Sequence, residues 1–216
     1  MCLGLILKQS PCARLVALSL VMLVLPISES AGQAQWKRTV KVVAPVEEGL
    51  VTRALTDSVV AMVEAQDTQL QRRPKPDTTL PLSAIKAALS EEGLALTSPT
   101  HLFITYRFTQ EDSRLHRDIL DLHFIYRPSA KQGEDIPILY LDLTEDGLYR
   151  KLLVEKGTPV RINEATFRSF EEQIAFHSLQ DTARVVQVGN RIIRDAEQAA
   201  SEKKRIMSTI RKLTYN

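Results

Sequence analysis

The chain has 216 residues, 28 basic against 26 acidic, a net charge of +2 and only eight glycines. A balance so close to neutral gives no bulk electrostatic basis for binding nucleic acid or an acidic membrane, and so few glycines argue against backbone cradles for phosphate. Both cysteines, Cys2 and Cys12, fall in the first 30 residues, so the rest of the chain has no thiol for catalysis, metal binding or redox exchange.

Those first residues read as a signal peptide. Lys8 and Arg14 form a basic region, Leu15 to Leu25 is an apolar run broken only by Ser19, and Pro26 ends it. Ser28 and Ser30 are placed for cleavage before Ala31, with a second option before Gln35. As a helix the apolar run would span about 16 Å, half of a bilayer core of about 30 Å. A permanent membrane span is therefore not expected, and the mature protein is expected to be periplasmic or secreted. The absence of a cysteine and of any Asn-x-Ser/Thr sequon beyond residue 30 favours a bacterial periplasm. Loss of Lys8, Arg14 and Glu29 leaves a net charge of about +1 on about 185 residues, enough for a core without disulfide staples. The expected organisation is a signal peptide over 1–30, an α+β domain over 31–180 and a heptad-patterned helix over 181–216.

Along the mature chain, 36–43 predicts a first strand, stopped by Pro45. Val51, Leu55, Val59 and Met62 recur at helical spacing within a helix over 46–72. Gln71 to Thr79 reads as a polar, proline-punctuated linker. Pro81 opens a short helix through Ile85, Ala88 and Leu89, closed by Gly93. The centre alternates with period two: Leu102, Ile104, Tyr106 and Phe108; then Leu120, Leu122, Phe124 and Tyr126; then Leu139, Leu141 and Leu143. Asp146-Gly147 suits a hairpin turn into a fourth strand over 148–154, with a short helix capped by Thr144 as the alternative. Asn163 reads as the N-cap of a helix carrying Phe167, Phe170 and Ile174. The fold class predicted is α+β: an antiparallel meander of three to five strands, helices packed on one face, and a long C-terminal helix.

That last element shows the most regular pattern. Val185, Gly189, Ile192, Ala196, Ala199, Lys203, Ile206, Ile210 and Leu213 follow one another at alternating steps of four and three. A helix over 182–213 would be about 48 Å long, against a diameter of about 40 Å for a compact domain of this size, so an overhang is expected from about Lys203. Ile192, Ala196, Ala199, Lys203, Ile206, Ile210 and Leu213 are the candidate interaction residues, for self-association or for an envelope protein partner. Packing on the protein's own sheet is the alternative.

The chain has no nucleotide loop, no Gly-x-Ser-x-Gly elbow and no His-Glu-x-x-His. One cluster bears on chemistry: His116, Asp121 and His123 carry imidazole and carboxylate donors of the kind that bind zinc. Alternating polar residues are also what the solvated face of a meander requires, and that reading is preferred. His101 reads as loop punctuation, His177 as a satisfied half-buried histidine on the helix with Phe170 and Ile174, and the Arg72-Arg73-Pro74-Lys75 run as a solvated linker. No catalytic residue, metal ligand or cofactor is therefore expected. The function expected is a non-catalytic exported accessory or interaction module of a cell-envelope assembly. A small-molecule or lipid-binding carrier is the alternative, and a metal-dependent hydrolase comes third.

Overall fold

A computed structural model describes residues 36–214 apart from 67–68, 75–78, 112–113, 129–133, 145–146, 163 and 180–181. The expected signal peptide, both cysteines and Asn163 lie outside the described residues.

The fold is α+β, built on a large antiparallel sheet. Strand β1 (Lys37–Pro45) leads to helix α1 (Val51–Ala65), then β2 (Gln69–Gln71), β3 (Thr79–Pro81) and α2 (Leu82–Glu91). The long strands β4 (His101–Glu111), β5 (Arg114–Tyr126) and β6 (Ile136–Asp142) follow, then α3 (Gly147–Glu155). A hairpin of β7 (Gly157–Ile162) and β8 (Glu164–Ser169) runs into α4 (Phe170–Gln173), and β9 (Arg184–Val188), β10 (Arg191–Ile192) and α5 (Ala196–Thr214) complete the order. Eight strands form one sheet in the order β10-β9-β1-β4-β5-β6-β2-β3, and β7–β8 stand as a separate pair. The meander β4-β5-β6 lies in the middle as expected, but the sheet exceeds three to five strands. The helix expected over 46–72 ends at Ala65, and two short strands at either end of the expected linker, Gln69–Gln71 and Thr79–Pro81, extend one edge. A hairpin from the expected C-terminal helix extends the other.

The buried face follows the predicted alternation where the ladder is regular. Val40, Val42 and Ala44 of β1 lie opposite Tyr106, Ile104 and Leu102 of β4, and all six are buried. On β5 the pairing shifts between Thr105 and Tyr106, so that Ile119 faces Tyr106 and is buried, while Leu120 is only half-buried. A second shift, opposite Phe124 and Ile125, places Ile138 beside Leu139 in the interior. An extra residue in one strand interrupts strict alternation, which is why the expected set Leu120, Leu122, Phe124 and Tyr126 is right only in its middle.

Helix α2 starts after Pro81 and ends as its sequence implies. Gly93 has φ +71°, its N–H donates to Ser90 at 3.0 Å, and the Leu94 N–H donates to Leu89 at 2.8 Å. These two bonds satisfy carbonyls that the last turn would leave open, and the left-handed backbone between them suits glycine. Residues 148–154, expected as a strand, instead form α3, because Tyr149, Leu152 and Leu153 all go inward at helical spacing. The helix expected after Asn163 is replaced by β8 and by the short α4, where the Ser169 hydroxyl accepts from the Glu172 N–H. Gly157 admits no side chain: a Cβ there would drive into the Arg168 carbonyl across the β7–β8 pair.

The C-terminal helix differs most from expectation. It begins at Ala196, not near 182, and its 19 residues span about 28 Å rather than 48 Å. Gly189, with φ +56°, turns the chain between β9 and β10, where Val188 pairs with Arg191. β-Branched residues on both sides of a Gly-Asn pair form a hairpin, and that local preference overrides a heptad spacing that runs through glycine. Ala199 and Ile206 of α5 are buried, and the helix packs over β9 and β5.

Candidate ligand-binding cleft

Three stretches of chain meet at the distal end of α5. One is the β4–β5 pair near its hairpin, where Phe108 lies opposite Arg117. A second is the turn after α4, which carries Phe176 and His177. The third is the last two turns of α5, with Met207, Ile210, Arg211 and Thr214. Between them lies an open cleft of about 740 Å³.

Each wall is held in place by an identifiable contact. Tyr106 is fully buried, and its hydroxyl donates to the Ile174 carbonyl at 2.5 Å, which fastens the turn carrying Phe176 to β4. Burial pushes the Tyr106 phenol far above its ordinary pKa, so it stays a donor. Phe176 meets Tyr106 and Phe108 edge to face, both at 5.6 Å between ring centres. Trp36 tilts against Phe108 at 6.4 Å from behind. Such aromatic pairs add about 0.5–1.5 kcal/mol each beyond their buried area.

Helix α5 is anchored by Ile206 and by the Lys203 ammonium, which donates to the carbonyls of Leu179, at 3.2 Å, and Ala183. Beside these anchors the largely shielded Glu202 accepts from Arg191 and from Arg205. Burial alone would raise the Glu202 carboxyl, but the two guanidinium hydrogen bonds outweigh it and hold the pKa below the usual value.

The cleft's chemistry is one-sided. Phe108, Leu115, Phe176, Met207 and Ile210 give it apolar walls. Its remaining lining is His116, Arg117, His177, Arg211 and Thr214, with no carboxylate among the described residues. Arg117 has its Nε buried without a hydrogen-bond acceptor. The pKa of His177 is lowered by desolvation and then by the Arg117 charge.

His116, Asp121 and His123, expected on a solvated face rather than as metal ligands, lie in different surroundings. Asp121 accepts from the Thr105 hydroxyl at 2.9 Å, and burial is the main cause of a raised carboxyl pKa. His123 sits between Phe103, at 6.2 Å, and Tyr140, at 5.9 Å. Burial, aided by the Lys41 charge, pushes its pKa down to about 4. His116 pairs in register with Thr109, nearer the hairpin, and lines the cleft. Among the described residues, no group of three His, Cys, Asp or Glu side chains is arranged to hold a metal ion.

The candidate interaction residues are scattered over different surroundings. Ile192 lies on β10 at the sheet edge and is 64% exposed. Ala196 opens α5 on the exposed side, whereas Ala199, Lys203 and Ile206 face the protein's own interior. Ile210 lines the cleft, and Leu213 is half-buried near it. The inner stripe of α5, from Ala199 through Ile206 to Ile210, thus packs on the protein's own core. Sequence reasoning missed the contribution of Arg117 and Phe176; the Arg117 position, facing inward opposite Phe108, becomes visible only once the β5 bulge is known.

No protein family matches the sequence, and no curated protein matches it. Among the described residues no helix is long and apolar enough to cross a membrane.

Proposed function

We propose that this chain is a non-catalytic, exported binding module of a cell envelope, and that its contact site is the cleft at the distal end of α5. The observation that carries this reading is the cleft itself, apolar in its walls, basic in its polar groups, and supported by buried anchors on three sides. Export rests on the signal-peptide pattern of residues 1–30. The service to an envelope assembly rests on that address together with an interaction surface in place of a catalytic constellation.

A second reading, a small-molecule or lipid carrier, is favoured by the cleft's volume, which falls within the range of about 300–1,000 Å³ usual for small-ligand sites. The two readings share one site and differ in its occupant. Crosslinked pull-down of the mature protein from its native envelope, combined with sequencing of its N-terminus, separates them. A processed N-terminus at Ala31 or Gln35 with one stoichiometric protein partner supports the interaction module. A processed N-terminus with a co-purifying lipid and no partner supports the carrier. An uncut N-terminus in the membrane fraction contradicts export.

A further inference from the structure

We propose that the cleft binds an anionic amphiphile, an apolar chain ending in a carboxylate or a phosphate. This rests on the reading that the cleft is the contact site, and it names the class of molecule that site takes.

The charge pattern is the first reason. Arg117 and Arg211 enter the cleft with His116 and His177, and no acidic side chain among the described residues lines it. Elsewhere on the same sheet arginines have their carboxylates: Arg107 holds Asp118 at 2.9 Å, and Arg127 holds Asp135 at 2.7 Å. Arg117 has no such partner among the described residues, and its Nε is shielded without an acceptor. A guanidinium left unpaired against apolar walls is unfavourable, and a carboxylate or phosphate head complements its fork of donors.

The walls give the second reason. Phe108, Phe176, Met207 and Ile210 offer aromatic and flexible apolar surface, which adapts to a chain better than to a polar body. An acidic peptide would bring backbone N–H and carbonyl groups that need partners. Beyond the basic side chains, Thr214 is the one other polar residue in the described lining. The size agrees, since about 740 Å³ exceeds what a bare inorganic anion requires and suits a small amphiphile.

The test uses the whole mature chain. Dodecanoate, dodecyl phosphate, dodecanol and inorganic phosphate are titrated below their micellar concentrations by calorimetry. Emission of Trp36, the single tryptophan, reports occupancy next to Phe108. The two anionic amphiphiles are expected to bind saturably and to shift that emission, with dodecanol and inorganic phosphate at least about tenfold weaker. The tighter of the two names the head group. Arg211→Gln, on an exposed helical position, and Arg117→Gln are each expected to weaken the anionic probes about tenfold while leaving dodecanol unchanged. Melting curves of both variants check the fold.

Equal affinity for dodecanol and dodecanoate overturns the proposal. So does full affinity in both variants, binding with no change at Trp36, or tighter binding of an acidic peptide. If all four probes fail while a partner still crosslinks to the cleft, the ligand class is wrong and the contact site stands. If both fail, both readings fall.

Discussion

Tyr106 and Ile174 are 68 residues apart in sequence, and the hydroxyl of one donates to the carbonyl of the other at 2.5 Å in the interior. That bond ties the turn bearing Phe176 and His177 to the central strand of the sheet, and so sets one wall of the cleft. Tyr106→Phe keeps the ring contacts and leaves the carbonyl buried without a donor. It is expected to destabilise the protein by about 1–3 kcal/mol, measured by denaturant unfolding. A loss near zero would show that the turn is held by other contacts.

Helix α5 belongs to the core. Ile206 is 2% exposed and lies in a helix that packs on β5 and β9. Ile206→Ala is expected to cost about 2–5 kcal/mol, and truncation after Ser201 is expected to lower the melting temperature markedly. The length of the seam suggests an overhanging helix whose removal leaves stability intact. Such an outcome would restore that view.

His123 provides a pH test. Burial holds its pKa down to about 4, against an ordinary value of 6.5. Because the folded value is depressed, the stabilisation is complete above about pH 6.5 and is lost progressively as pH falls through 4. The His123 ring resonances in an NMR titration are expected to show a midpoint near 4. A midpoint near 6.5 would place the ring in solvent.

Gly157 faces the Arg168 carbonyl so closely that no Cβ fits. Gly157→Ala is expected to destabilise by about 1–3 kcal/mol through displacement of the β7–β8 pair. An unchanged unfolding midpoint would mean that the β7–β8 pair yields to a methyl group without cost.

The central strands were legible because each alternate side chain has one destination: Ile104, Leu122 and Leu141 are buried as their spacing requires. The bulges in β5 and β6 were not legible, since an extra residue changes which side chains face inward without changing composition. The segment 184–193 could have been read correctly from Gly189-Asn190 flanked by valines and isoleucines, a stronger signal than the heptad spacing that passes through it. Residues 148–154 satisfy both periods, and the packing of Tyr149, Leu152 and Leu153 decided for helix. The cleft was only half legible. Ile210 stood out as an interaction residue, but the pairing of Phe108 with Arg117 and the approach of Phe176 depend on contacts between distant segments.

Site-specific photocrosslinking in native cells tests the proposed contact site most directly. A photoreactive side chain is placed at Ile210, inside the cleft, or at Ser201, exposed on the same helix. Crosslinking of one species from position 210, reduced by Arg117→Gln and absent from position 201, is the expected result. Equal labelling from both positions, or none from 210, would contradict the assignment of the cleft as the contact site.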